Sequence, residues 1–401
     1  MSKEKAIIIF TVAIDVIGLG IIIPVLPIYV ESFGISAFSV TLLFSAYSLF
    51  SFLSAPFLGA LSDKIGRRPV MIISIASTSL GWFIFALSHS LPFLMLGRII
   101  DGLAAGNIST AQSSISDISK DSKERAGNLG IIGMIFGLGF IVGPFIGGML
   151  SSFSHSAPFW FVGGMAFLNA VLAYFFLPET NKNIDHQKNI TWNPIKPLIS
   201  AAKNCTLRTL YVVWFLFNLI AVGANTIFAL YLAKAYGYSP FSTGLFFTGI
   251  GVILALNQGL LLKKFWLQKF KEKQLILFMI AFFMIGFLLM SIHSIWLFII
   301  GIIMTAFGQS TLNVAMTSEI VGEANVKERG EAVGVLSAIS SAATILAPMA
   351  SGFAFQYKPN LPYIFASILS ALALVIFYNT KISEKHCHES DELAKEIIIL
   401  D

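Results

Sequence analysis

Gly59-Ala60-Leu61-Ser62-Asp63-Lys64-Ile65-Gly66-Arg67-Arg68-Pro69-Val70 is the stretch whose reading decides the fold. It is the first strongly charged segment of the chain, and long apolar runs flank it on both sides. Asp63, Lys64, Arg67 and Arg68 do not enter hydrocarbon cheaply, so the stretch reads as a short loop joining two membrane-spanning helices. Its excess of positive charge also says which side of the membrane the loop faces.

Composition extends this reading to the whole chain. The 401 residues are 56% hydrophobic and 12% charged, whereas an ordinary soluble domain carries about 25% charged residues. A soluble core does not hide so much apolar surface, so the surrounding solvent is lipid. The net charge is +5, but the basic residues sit in short segments between apolar runs. That is a membrane-orientation pattern and excludes nucleic acid as a partner. Cys205 and Cys387 lie far apart, with no disulfide framework and no zinc spacing. His386-Cys387-His388 reads as a solvated tail, and no metal site is expected. The first apolar run, of about 25 residues, exceeds a signal-peptide core of about 7–15 and reads as an uncleaved span.

At roughly 20 apolar residues per crossing, the sequence predicts twelve spans: Ala6–Val30, Val40–Ala60, Val70–Ser90, Pro92–Ile118, Gly127–Ser152, Ala157–Leu177, Arg208–Ala233, Pro240–Leu262, Gln274–His293, Ile295–Ile320, Gly330–Gln356 and Leu361–Thr380. These runs are too long, and alternate too little, for a β-barrel. Lys3, Lys5, Lys64, Arg67, Arg68, Lys120, Lys123, Arg125, the lysines of 182–203 and 263–273, Lys327, Arg329 and the lysines of the tail all fall on one side if the spans alternate. The positive-inside rule then places both termini in the cytoplasm, as in a multi-pass protein of the bacterial cytoplasmic (inner) membrane.

The expected fold class is an all-α membrane protein with two pseudo-symmetric six-helix bundles, residues 1–178 and 206–380. A polar linker, 179–205, joins them, with a short surface helix expected near Pro197–Asn204, and a cytoplasmic tail follows, 381–401. An internal repeat supports the division. Arg125 to Pro144 and Arg329 to Pro348 are both 19 residues, and the two arginines precede Gly148 and Gly352 by 23. Tyr29 and Gly34 pair with Tyr231 and Gly237, Asp15 falls opposite Asn218, and Asp117 opposite Glu319. Duplicated bundles with a site between them are the usual plan of secondary transporters.

Three charges lie deep inside spans: Asp15 in span 1, and Arg98 and Asp101 in span 4. Each of the two carboxylates is about 13–14 Å from the nearer end of its span, close to the middle of a core of roughly 30 Å. Arg98 and Asp101, three apart, share a helix face. Burial disfavours the charged carboxylate and a guanidinium favours it, so such a group can change protonation when access changes sides. Asp15 and Asp101 are the candidate proton carriers, with Arg98 linking their charge to substrate. In span 5, Gly133 and Gly137 form one small-residue pair, and Gly139, Gly143 and Gly147 a second series beside Pro144 and Gly148. Both suit close helix approach, and Pro144 suits a bend. Polar residues within spans are candidates for a substrate cavity: Asn107, Gln112, Asn218, Asn225, Gln309 and Asn313, together with Asn169, Asn257 and Gln258. Nucleotide-binding and hydrolase motifs are absent, so the chain is not expected to be an enzyme or to carry a cofactor.

The segment Gly59 to Arg68 resembles the signature loop of the major facilitator superfamily. Gly97-Arg98-Ile99-Ile100-Asp101-Gly102 is similar to the span 4 motif of its proton-coupled exporters, and Gly139 to Gly148 resembles their span 5 antiporter motif. Asp15 to Pro27 resembles span 1 of tetracycline-type, twelve-helix drug exporters. Span 3 carries Gly81-Trp82 and span 9 no acid, where tetracycline exporters have further acidic residues, so tetracycline itself is not implied as cargo. The resemblance implies proton-driven antiport by rocking halves. It also implies a cytoplasmic cluster of Asp63, Arg67, Asp117 and Arg125 that controls opening, with Gly59, Gly66 and Arg68 completing its loop. The second-half counterpart, Gly259 to Lys273, has lost the aspartate and the Gly-Arg-Arg, so gating charge is expected mainly in the first half. The sequence thus predicts a monomeric exporter of lipophilic small molecules in exchange for protons. The alternatives are a sugar or organic-acid facilitator or symporter and, from another class, a non-transporting membrane receptor or assembly factor.

Overall fold

The computed structural model describes residues 3–181, 184, 195, 197, 199, 205–324 and 329–379. The expected linker helix falls almost wholly outside these residues, and the tail with its His-Cys-His cluster lies outside them. Twelve helical spans among the described residues are long and apolar enough to cross a membrane, and no strand occurs there. The all-α reading is borne out.

Seven helices build the first half: α1 (Lys3–Glu31), α2 (Ala37–Ile65), α3 (Arg67–Leu87), α4 (Leu91–Leu103), α5 (Asn107–Asp117), α6 (Ser122–Ser151) and α7 (Ala157–Phe176). The second half contains α8 (Cys205–Tyr236), α9 (Pro240–Leu256), a π-helix (Asn257–Trp266) with one further turn (Leu267–Lys269), α10 (Glu272–Met290), α11 (Ile295–Glu323), α12 (Arg329–Tyr357) and α13 (Leu361–Tyr378).

Three expectations need correction. Span 4 is not one helix: α4 ends at Leu103, α5 starts at Asn107, and three residues between them leave the helical path. Gly102 and Gly106 bracket this break because they lie hard against α2, where a Cβ would meet the Tyr47 carbonyl and the Leu58 side chain. Span 8 continues past Leu262 to Lys269, and its C-terminal part is π-wound. The Gly59–Val70 loop shrinks to a single residue, Gly66, whose φ of 103° is a left-handed conformation that favours glycine.

Contacts divide the described residues into two compact units. The first takes those of 1–194, 226–252 and 348–359; the second takes those of 195–225, 253–347 and 360–401. In the first unit, α1 packs on α6 through glycines. A Cβ on Gly139 would strike Val16, one on Gly143 would strike Gly20, and one on Gly147 would strike Ile21. Lipid offers helices no hydrophobic drive to associate, so such close backbone approach supplies the dispersion contact that does. Gly148 continues the series against Pro240 and Phe241 of α9, and Gly244 meets the Pro144 carbonyl. Gly133 and Gly137 behave otherwise: a Cβ on either meets nothing, so this expected packing pair makes no close contact. An apolar core of Ile8, Val12, Val16, Met71, Ile75, Ile115 and Ile132 joins α1, α3, α5 and α6.

The second unit repeats a device of the first. Gly81 of α3 and Gly97 of α4 each meet the other's carbonyl, and Gly286 of α10 and Gly301 of α11 do the same. The equivalent crossings reinforce the duplication read from sequence. The unit's distinctive feature is Asn257, fully buried at the start of the π-helix. Its Nδ2 donates to Ser310 Oγ at 2.5 Å and to Thr311 Oγ1 at 2.9 Å, and its Oδ1 accepts from Trp266 Nε1 at 2.8 Å. Nine residues span about two and a half turns of α-helix, which puts two side chains on opposite faces. Wider π-winding brings residues 257 and 266 onto one face. Asn257, a cavity candidate by sequence, is instead a structural tie.

Gly143→Ala is expected to lower the melting temperature of the detergent-purified protein by several degrees, because its methyl meets backbone (overpacking costs about 1–3 kcal/mol). Gly137→Ala, with open space and better helix propensity, is expected to leave it unchanged or raise it. Thermal unfolding followed by circular dichroism checks the pair.

Candidate functional site

Two charged constellations emerge in the first unit, one at the basic end of the spans and one deep within them. At the basic end, Arg67 opens α3. Its Nη1 lies 2.6 Å from Asp63 Oδ1 and donates to Ser62 Oγ at 2.6 Å, while its Nε donates to Asp117 Oδ2 at 3.1 Å. One guanidinium thus ties the end of α2 to the end of α5. Arg68 Nη2 donates to the Tyr174 carbonyl at 2.5 Å. Arg125, expected in this cluster, is exposed and makes no ion pair among the described residues. Gly59 packs against nothing that a Cβ would strike.

A residue that sequence reading missed completes the constellation. Glu179 Oε1 accepts from the Arg67 N–H at 2.9 Å, and Oε2 from the Arg68 N–H at 3.1 Å. The backbone N–H groups of Thr180 and Asn181 also bond to Oε1. Gly66 has no side chain with which to cap α3, so a carboxylate 112 residues away does it. Its charge also suits the positive end of the helix dipole. The signal available in sequence was weak: an acid just past the end of span 6, on the same side as the loop. The second unit carries an ion cluster as well, beside the one in the first half, where the sequence places most of the gating charge. Lys273 Nζ lies 3.5 Å from Glu319 and 3.8 Å from Glu323. Glu319 is the repeat partner of Asp117, so the acid at the end of span 10 persisted while the loop opposite it changed.

The deep site lies where α4 breaks. Arg98 Nη1 donates to Asp101 Oδ2 at 3.0 Å, and both side chains are 6% exposed. The Arg98 guanidinium also sits 4.3 Å from the Tyr47 ring centre and 4.8 Å from that of Trp82. Desolvated cation–π contacts contribute about 2 kcal/mol, so Arg98 is matched by one carboxylate and two aromatic faces. Asp15 is different. It is 9% exposed, and no ion pair among the described residues includes it. Asn107, the first residue of α5, donates to Asp15 Oδ2 at 2.6 Å, and Asp15 Oδ1 accepts no hydrogen bond from the described residues. Asp15, Asp101, Tyr47, Thr78, Trp82 and Asn107 line a cavity of about 30 Å³. That is room for about two water molecules, whereas small-molecule sites occupy roughly 300–1,000 Å³. In this state the cavity suits water and protons, not a drug-sized molecule.

The other cavity candidates fall elsewhere. Gln112, Asn225 and Asn313 are exposed, and Gln309 is half-buried. Asn218 donates to the Trp214 carbonyl at 2.9 Å. Asn169 donates to the Thr11 carbonyl and so fastens α7 to α1.

The family model described as Major Facilitator Superfamily matches residues 8–265 and 259–397. The chain is 28% identical over 382 residues to the quinolone resistance protein NorA of Staphylococcus aureus (strain MSSA476), covering 94% of this chain and 96% of that one. It is 28% identical over 395 residues to the class H tetracycline resistance protein of Pasteurella multocida, again with 94% and 96% coverage. Among solved structures, a bacterial homologue of the human lysosomal transporter Spinster, inward-facing and unoccupied, superposes with a TM-score of 0.77 at 16% identity, over 96% of this chain and 97% of that one. These matches, with the twelve spans and the charged loop, define a membrane transporter and not an enzyme. The chain belongs to the major facilitator superfamily, and proteins named for quinolone and tetracycline resistance are among its relatives.

Glu179→Ala removes the acceptor of four backbone N–H groups, each of which is left with less than a full set of partners. A loss of about 1–2 kcal/mol is expected to appear as a lower melting temperature in detergent. Arg125→Ala, at an exposed position with no ion pair among the described residues, is expected to leave that temperature unchanged.

Proposed function

We propose that this protein exports lipophilic small molecules in exchange for protons, by alternating access of its two halves, 1–178 and 206–380. The observation that carries this reading is Asp15: a buried carboxylate near mid-membrane, bonded to a neutral amide, beside a cavity large enough for water. A permanently charged group in that position would be strongly disfavoured. A group that gains and loses a proton as access changes sides has a reason to be there. Asp101 is the second carrier. Arg98, held by Asp101, Tyr47 and Trp82, keeps a fixed positive charge near the cavity. The relatives named for quinolone and tetracycline resistance support a lipophilic cargo.

The remaining assignments follow from this scheme. The lysine-rich end faces the cytoplasm, with both termini on that side. Asp63, Arg67, Asp117 and Arg68, with Gly66 as hinge and Glu179 as cap, form the cytoplasmic latch of the first half. Lys273 and Glu319 form that of the second. The Gly139-to-Gly148 face holds α6 against α1 and α9 while the opposite end is closed. Substrate contacts come from Asn218, Asn225, Gln309, Asn313 and Gln112, since the Asp15 cavity is too small for a drug. The protein works as a monomer and needs no cofactor, because the proton gradient drives it.

In proteoliposomes with an imposed pH gradient, lipophilic dyes and quinolones are expected to move against protons. Asp15→Asn and Asp101→Asn are expected to lower gradient-driven transport at least tenfold. Full proton-driven transport by both variants would overturn the proton assignment, and co-directional proton flux would make the protein a symporter.

A further inference from the structure

Asn107 occupies an unusual position. Its Nδ2 donates to Asp15 Oδ2 at 2.6 Å, while its Oδ1 accepts from the Ile108 N–H at 3.0 Å. One amide therefore grips the carboxylate and satisfies an N–H in the first turn of α5, where Gly106 offers no side-chain cap. That turn follows the break at 104–106, so α5 is joined to α4 through three non-helical residues. At its other end, α5 finishes on Asp117, which accepts from Arg67. Its 11 residues make a rod of about 16 Å between the deep carboxylate and the ion cluster at the basic end.

We propose that Asn107 is a positioning residue that transmits the charge on Asp15 along α5 to the Arg67–Asp117 pair. The proposal rests on the proton-carrying role given to Asp15 above. A hydrogen bond to a charged carboxylate is roughly twice as strong as one between neutral groups. While Asp15 is charged, it holds Asn107 and the first turn of α5 against α1. A proton taken up at the unpartnered Oδ1 makes the bond at Oδ2 a neutral one, and the start of α5 loosens at the break. The far end then bears differently on Arg67, which is shared between Asp117 and Asp63. The groups that face Asp15 are few: Tyr47 from α2, Thr78 and Trp82 from α3, Asp101 with its Arg98 from α4, Asn107 from α5 and Asn169 from α7, while α6 presents glycines. Of these, Asn107 alone starts a helix that ends in the ion cluster.

The test uses the full chain in proteoliposomes, with Cys205 and Cys387 replaced by serine and one reporter cysteine at the exposed Ser109 on α5. Its labelling rate by a maleimide is expected to change at least threefold between pH 5.5 and 8.5. In Asp15→Asn it is expected to stay at the low-pH value throughout. Asn107→Ala is expected to flatten the pH dependence and to lower the number of protons exchanged per substrate, and Asn107→Gln, which keeps the amide, to restore at least half of both. If Asn107→Ala does not give monodisperse protein, Asn107→Ser is read in its place. A variant lacking the amide that keeps the parent's pH dependence and exchange ratio overturns the inference, as does a reporter without pH dependence. Proton-driven transport that survives in Asp15→Asn and Asp101→Asn defeats the functional reading itself. Transport lost in those variants, with coupling intact in Asn107→Ala, defeats only this inference.

Discussion

In hydrocarbon a charge has to be answered inside the protein, and most of the informative features of this molecule follow from that constraint. Arg98 is answered three times over, by Asp101 and by the faces of Tyr47 and Trp82. Among the described residues Asp15 accepts from the neutral Asn107 amide and borders a small cavity whose wall mixes polar and apolar side chains. This inequality sets Asp15 apart from Arg98. It also explains why the break in α4 falls where it does. Irregular backbone at membrane depth is tolerated only where it is buried in protein or lines a cavity, and the break lies between Asp101 and Asn107, both on the cavity wall.

The same absence of water governs helix packing. Large apolar side chains give helices no preference for one another over lipid, so close approach at glycine does the sorting. On α6 the two glycine series looked alike as sequence, yet only Gly139, Gly143 and Gly147 meet α1, while Gly133 and Gly137 face open space. At the basic end, where water returns, ion pairs are worth less individually. There Arg67 bridges two acids, and Glu179 caps the helix that Arg67 opens. The cap and the bridge act on successive residues of α3, so one helix end is held by charge from α2, α5 and the segment after α7.

Much of this was legible in the sequence. The twelve spans follow from the length of the apolar runs, and the duplication from spacings around Arg125 and Arg329. Asp15, Arg98 and Asp101 announced themselves because ionisable groups are rare in spans. The partners were not legible. Nothing in the pattern of residues 92–118 distinguishes one helix from two, because glycine and alanine at 102–106 are tolerated inside a span. Likewise, the π-winding after Asn257 depends on Ser310, Thr311 and Trp266 converging on one amide.

The sequence by itself determined that the chain lives in lipid, how often it crosses, that its halves are related and which charges lie deep. These are consequences of transfer free energy and periodicity, which act residue by residue along the chain. Only the tertiary structure decided which carboxylate is paired and which is not, which glycines touch a neighbour, and that Glu179 rather than Arg125 joins the charged end of α3. Those outcomes depend on distances between segments remote in sequence, and hydrogen bonds and ion pairs fall away within a few ångströms. The first loop, Gly59–Val70, shows both sides. Its charges gave it a place at the membrane surface, but the single left-handed glycine at its centre and the distant glutamate on its helix appear only once the chain is folded.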